Sequence, residues 1–273
     1  MNESELKYLK DLAKKIRLDV LEMTFKAGAD GGHLGGAFSC AEILAILYGK
    51  ILRLDPKNPA HDDRDRFILS KGHVALAHYS VLAGRGFITR DELNTFEESG
   101  SDFPTHEIIN INKGIETSSG SLGYGLSIGV GTALNAKIKS KNYHTFVLLG
   151  DGECNEGSIW EAAQSAVKFK LDNLTAIIDH NKQSLDGKNI MPVKNLEGVF
   201  NNLGFDVHTV DGHNFEALEK IFMLENKSDC PKIIIADTLK AKGIKAIEGQ
   251  EGWHHARLNQ TDYEKFREEL EKS

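Results

Sequence analysis

Proline and cysteine are both scarce, with five and three residues in a chain of 273. The cysteines, Cys40, Cys154 and Cys230, lie far apart, so they offer neither a disulfide framework nor a C-x-x-C metal pair. No apolar run reaches the roughly 18 residues that a membrane-spanning helix needs. Positive charge is also in deficit: the net charge is −7, which disfavours a nucleic-acid groove or an anionic membrane surface as partner. The opening Met1-Asn2-Glu3-Ser4-Glu5 lacks the basic and apolar regions of a secretory signal. These absences point to a reducing cytoplasm, with no nucleic acid and no membrane as partner. Internal repeats and low-complexity segments are absent as well.

Apolar residues make up 40% of the chain, enough to fill a core, and glycine is abundant at 26 residues. The glycines cluster at 28–36, 120–131 and 150–157, which is not linker composition and suggests backbone brought close to something else. Helical periodicity marks 6–27, a capping box at Ser39-x-x-Glu42 opens a helix to about Leu52, and a helix spans His73–Leu82. Thr89-x-x-Glu92 caps another, expected to end near Gly100, and Ser121–Lys139 is small, apolar and helical in period. Arg66–Leu69 reads as a strand. From Thr145 onward short apolar strands at 145–149, 174–179, 205–210 and 232–236 alternate with helices at 157–169, 196–203 and 215–225. That alternation predicts an α/β fold, a parallel sheet with helices on both faces, with residues 1–273 forming one domain and a charged helix or tail from Thr261.

The strand at 145–149 runs into Gly150-Asp151-Gly152, and the strand at 174–179 runs into His180-Asn181. Both sites lie at carboxyl ends of parallel strands, where open α/β sheets bind ligands. Asp151 and Asn181 are thirty positions apart with one helix between them, so a right-handed crossover places their strands close together. A carboxylate and an amide oxygen are hard donors suited to Mg²⁺, which takes one or two carboxylates and completes its shell with phosphate oxygens and water. Gly150 and Gly152 leave room for N–H groups facing a diphosphate, and the helix after Gly157 could aim its N-terminal dipole at the same charge. Gly123-x-Gly125-x-x-x-Gly129 misses the dinucleotide spacing and follows no clear strand.

Gly-Asp-Gly followed about thirty residues on by Asn resembles the thiamine diphosphate signature, and the segment 150–187, GDGECNEGSIWEAAQSAVKFKLDNLTAIIDHNKQSLDG, resembles its transketolase version, down to the Asp186-Gly187 at its end. RDRFILSKGH at 64–73, GGHLGG at 31–36, SGSLGYG at 119–125 and Trp253-His254 are similar to further elements of that family, in the family's order. The resemblance implies the diphosphate-binding (PP-type) fold and the cofactors thiamine diphosphate and Mg²⁺, with Ca²⁺ or Mn²⁺ as substitutes. It assigns Asp151, the side chain of Asn181 and the backbone carbonyl of Gln183 to the metal. Gly150 and Gly152 fall to the diphosphate, Gly120 and Leu122 to the aminopyrimidine, and Glu156 to an interface coupling two active sites. His33, His73, His106 and His254 would surround the thiazolium and the sugar. Leu34 and Ser121 stand where the family has proline, Tyr124 where it has glutamine, and Thr105-His106-Glu107 where it has Gly-His-Pro-Glu.

The family's pyrimidine-binding domain, with the glutamate that activates the coenzyme, normally follows this one. Its lack here makes the chain resemble the N-terminal subunit of a split transketolase, a transferase acting in carbohydrate metabolism. The implied partner is a C-terminal subunit in an α2β2 heterotetramer, docked on 121–136 unless that helix is core. The implied reaction moves a two-carbon ketol unit from a ketose or ketose phosphate to an aldose, with a histidine taking a hydroxyl proton. The rival readings are the α subunit of a 2-oxo acid dehydrogenase, which would lack RDRFILSKGH and the His33 loop, and a non-catalytic scaffold.

Other residues have plainer readings. His73 heads a helix and could be a cap; His78 and His144 belong to packing or surface; Cys154 is a small loop residue. Arg64-Asp65-Arg66 reads as structural ion pairs, and 240–245 as a solvated loop or a flap. Of the adjacent pair His254 and His255, the motif favours His254.

Overall fold

A computed structural model describes residues 1–185, 187–188 and 191–272. The chain runs through α1 (Glu3–Lys26), α2 (Leu34–Ser39), α3 (Ala41–Ile46), a π-helical turn (Leu47–Ile51), β1 (Arg66–Leu69), a 3-10 turn (Gly72–Val74), α4 (Ala75–Arg85), α5 (Arg90–Leu93) and α6 (Tyr124–Ile138). Then come β2 (Thr145–Gly150), a 3-10 turn (Gly152–Asn155), α7 (Gly157–Lys168), β3 (Leu174–His180), β4 (Gln183–Ser184), β5 (Gly187–Lys188), α8 (Leu196–Leu203), β6 (Asp206–Asp211), α9 (Phe215–Phe222), β7 (Lys232–Asp237) and α10 (Gln260–Lys272).

Five strands form one sheet in the order β1-β2-β3-β7-β6, every neighbouring pair parallel. The strands are buried on both faces because alternate side chains feed separate cores. Phe146, Leu148, Ile177 and Ile234 join the core under α1, α3 and α4, whereas Val147, Leu149, Ile178 and Ile235 join the one under α6, α7 and α8. The adjacency expected of the Asp151 and Asn181 strands holds: β2 and β3 pair from Thr145↔Leu174 to Gly150↔Asp179.

Four local expectations need correction. Ser39 and Glu42 form no capping box: the Ser39 hydroxyl donates to Asp179 Oδ2 (2.5 Å) and Glu42 is bound by Arg17. Long-range partners of higher charge displace the local pattern. The Thr89 box is real, with Thr89 and Glu92 capping each other's backbone, but α5 ends at Leu93 and does not continue to Gly100. The chain there turns through Glu97, whose φ is +61° and whose carboxylate is drawn to Thr105. The segment after Lys71 opens as a 3-10 turn before α4, and the small-residue helix starts at Tyr124, after Gly123 at φ +89°. The segment at the end is a helix, α10, packed on α1. Asp186 of the expected Asp-Gly ending lies outside the described residues, as does Ser273.

Candidate functional site

Much of the site follows the carboxyl ends of strands. After β1 come Lys71 and His73; after β2, Asp151 and Glu153; after β3, Asn181 and Gln183; after β7, Lys240. They line a cavity of about 320 Å³ together with His106, Gly120, Leu122 and His254, which other loops bring in. Its floor is a buried ion pair, Lys71 Nζ to Asp179 Oδ2. The same carboxylate accepts from Ser39, Thr238 and Asn181 Nδ2 (3.2 Å). Burial opposes the Asp179 charge, but Lys71 answers it and holds the carboxyl below its ordinary value.

Asp151 is only 5% exposed, yet among the described residues its carboxylate makes no ion pair, and the Lys71 charge acts on it only weakly. It accepts from the backbone N–H of Gly152 (2.8 Å) and of Lys182 (2.7 Å). Burial, then the charge of Asp179, raises its pKa. Among the described residues Asn181 Oδ1 accepts from Gln183 N alone (3.1 Å), and Gln183 Oε1 is buried with no partner. An uncompensated carboxylate beside underused oxygen acceptors fits a divalent cation. Among the described residues no group of three or more His, Cys, Asp or Glu is placed to hold a metal, so a cation here would draw on amide and backbone oxygens. Gly120, at φ +136°, faces the His106 ring, and a Cβ at Gly36 would come within 3.3 Å of His73 Nε2, so glycine backbone packs closely against two of the cavity's histidines.

The histidines cluster on one side of the cavity. The His33 ring centroid lies 5.5 Å from His73, 5.9 Å from His106 and 5.2 Å from His254. His73 and His254 are 4.9 Å apart. Burial first, then neighbouring histidines, lowers His33 to about 4, and burial followed by Lys240 lowers His254 to about 3. Burial also lowers His73 and His106. All four are therefore neutral imidazoles at pH 7, able to accept a proton, and their closeness discourages a second from doing so.

Of the residues singled out in the sequence, His73, His106, His254, Gly120, Leu122, Gly150, Asp151, Gly152, Asn181 and Gln183 line the cavity, and His33 adjoins it through those rings. Glu156 does not line it: its side chain is exposed at the start of α7, beside Gly123. Gly157 is likewise outside, so the 3-10 turn beginning at Gly152, and not α7, reaches the cavity. Arg64-Asp65-Arg66 makes ion pairs as expected, Arg64 with Glu116 and Asp65 with Arg53. His144 is packed against Phe146 and Cys154 is fully buried.

Five contributors escaped the sequence reading or were ranked below others in it. Lys240 was expected in a solvated loop but is 2% exposed, lines the cavity and donates to Ser184 O (2.9 Å). Burial, then Lys71, lowers it to about 8. Lys71 sits inside the SKGH element, so a signal for it existed; Asp179 is the residue two before Asn181. Glu153 ties the loops together by accepting from Gly123 N (2.8 Å) and Gly150 N (3.0 Å). His255 faces His33 at 4.7 Å, nearer than His254.

Comparison with known proteins agrees with this geometry. The family described as "Transketolase, thiamine diphosphate binding domain" matches residues 9–272. The chain is 40% identical over 255 residues to an apulose-4-phosphate transketolase subunit of Phocaeicola vulgatus, covering 92% of this chain and 90% of the relative. It is 36% identical to the 6-deoxy-6-sulfo-D-fructose transketolase subunit SqwG of a Clostridium species, over 100% of this chain and 99% of the relative. Human transketolase is 35% identical, but this chain covers only 43% of it. The crystal structure of transketolase from Campylobacter jejuni superposes with a TM-score of 0.87 at 31% identity, spanning 99% of this chain and 43% of that one. No helix among the described residues is long and apolar enough to cross a membrane.

Proposed function

Since the chain belongs to the transketolase family of thiamine diphosphate binding domains, we propose that it is the diphosphate-binding subunit of a two-chain transketolase that moves a two-carbon ketol unit between sugars. The observation that carries this reading is the convergence, in one cavity, of a buried carboxylate without a counter-ion and a ring of neutral histidines. Asp151, the side chain of Asn181 and the backbone carbonyl of Gln183 hold Mg²⁺, and the metal neutralises the coenzyme's diphosphate beside Gly150 and Gly152. Gly120 and Leu122 offer backbone groups to the aminopyrimidine. Bound thiamine diphosphate supplies the reactive C2 carbon of its thiazolium ring. His33, with His73, His106 and His254, orients the sugar hydroxyls and takes the proton released as the carbon–carbon bond breaks, then returns it to the acceptor.

The partner is a second chain with a pyrimidine-binding domain, which supplies the activating glutamate, and the assembly is α2β2. The exposed face of α6, with Tyr124, Ser127, Ile128 and Gly131, and the exposed Glu156 support α6 as the surface that the partner covers. The names of two similar subunits, one for a sugar phosphate and one for a sulfo-sugar, favour a donor ketose carrying an anionic group.

The test is co-expression with a chain carrying that domain. Calorimetry should then detect binding of thiamine diphosphate dependent on Mg²⁺, and the complex should consume a ketose phosphate only when an aldose acceptor is present. Consumption of a 2-oxo acid instead would replace this reading with a dehydrogenase component. Neither heat nor turnover would leave a scaffold.

A further inference from the structure

Behind the cavity, three buried polar side chains form a chain that the site does not use directly. Tyr48 Oη lies 2.5 Å from His78 Nε2, and His78 Nδ1 contacts Glu107 Oε1. All three are 2% exposed or less. Phe67 of β1 packs on both rings, with centroids 5.5 Å from Tyr48 and 4.9 Å from His78. They come from three separate pieces: the π-helical turn at Leu47–Ile51, the middle of α4, and the irregular segment between α5 and α6. The π-helical turn closes the helical segment that α3 begins, and the chain leaves it extended at Leu52. Here it presents Tyr48 to His78. The arrangement that satisfies every group has the tyrosine hydroxyl donating to Nε2 and Nδ1–H donating to the Glu107 carboxylate.

A buried polar chain of this kind adds little to stability over an apolar core, but it specifies geometry. What it specifies is legible from its free end. Glu107 follows His106, which lines the cavity. The Glu107 carbonyl accepts from Ser119 N (2.9 Å), and Ser119 precedes Gly120, the residue against the His106 ring. Ser119 and Gly120 in turn press on Gly72, next to His73: a Cβ at Gly72 would lie 2.7 Å from Gly120 N. One anchor therefore fixes three cavity residues that the regular fold leaves on loops.

We propose that Tyr48, His78 and Glu107 are positioning residues that hold His106 and Gly120 in register with the cavity. The inference rests on the proposed function only in giving His106 something to do; its test reads position directly. In the full chain with ¹⁵N-labelled histidine, His106 is followed by NMR through a pH titration. His106 faces Glu97 and the His33 ring, and its low pKa comes from enclosure. Glu107→Ala should release it, moving its titration up toward the ordinary 6.5, while His254, on which His106 does not act, keeps its own. Glu107→Gln retains an acceptor for Nδ1–H and should restore the parent value. Tyr48→Phe, which removes only the far link, should shift His106 in the same direction by less. In the reconstituted complex Glu107→Ala should lower kcat/KM about tenfold or more with Glu107→Gln largely rescued. A parent-like His106 in both Glu107→Ala and Tyr48→Phe, or an equal shift of all the cavity histidines, overturns the proposal. If Glu107→Ala does not fold, Tyr48→Phe alone decides it. A shifted His106 with no ketol transfer by the parent complex would sink the function and leave the positioning role standing.

Discussion

Two buried aspartates stand at the tips of adjacent strands and meet opposite fates. Asp179 of β3 pairs in register with Gly150, the residue before Asp151. Its carboxylate is met by an ammonium, two hydroxyls and an amide, and its pKa falls. Asp151 is also buried, though less completely, is met among the described residues by two peptide N–H groups alone, and its pKa rises. A carboxylate whose charge is answered inside the chain builds the floor; one left unanswered is in need of a ligand.

The comparison makes opposite predictions for the same chemical change. Asp179→Asn strands the Lys71 ammonium in the floor, and urea denaturation should show a loss of about 3–5 kcal/mol. A stability equal to the parent's would mean that the floor pair is not structural. Asp151→Asn strands no buried charge and takes the acceptor from only one of two peptide N–H groups, so the same denaturation curve should move by no more than about 1–2 kcal/mol. Its effect should appear instead in calorimetry of the reconstituted complex, where affinity for thiamine diphosphate with Mg²⁺ falls more than about 100-fold, beyond the loss typical of outer-shell changes. Normal coenzyme affinity in this variant would refute the metal assignment.

Lys240 lies between these extremes. Burial and Lys71 lower it to about 8, so it is charged at pH 7 and loses its charge as pH rises through that value. Affinity for inorganic diphosphate should weaken over that window, and Lys240→Met should cost about tenfold at pH 7. A Lys240→Arg chain should lose the pH dependence; if it keeps it, another group is titrating.

The smallest effect concerns the histidines. Above pH 6.5 they are neutral both folded and unfolded, so they leave stability independent of pH. Below it the unfolded chain binds protons that folded His33, with a pKa of about 4, refuses, so stability falls as pH drops from 6.5 toward 4. The decline in Tm between pH 7 and 5 should be shallower in His33→Gln than in the parent; identical slopes would remove His33 from the account.

The parallel sheet and the paired sites at its strand tips were readable because buried strands and short turns leave a local signature. β1 and α8 have the boundaries the pattern assigns. Asp151 and Asn181 stood out by residue type and spacing, and the histidines of the cavity by resemblance to the family's motifs. Lys240 did not, because 240–245 looks solvated, and it is buried only by contacts distant in sequence, such as Ala241 N to Gly35 O (3.0 Å). Ser39 and Glu42 show the converse: a valid capping pattern was overridden by Asp179 and Arg17, which no local window contains. His78 was read as packing or surface; its ties to Tyr48 and Glu107 span 30 and 29 positions and carry no motif.

Gly32 and Ala256 exchange both backbone hydrogen bonds, 2.9 and 2.8 Å, across more than two hundred residues. During synthesis the His33 loop emerges early and must wait, without this pairing, until the segment around Ala256 has left the ribosome. Nascent chains short of that point would carry the sheet and its carboxylates but leave one side of the cavity open.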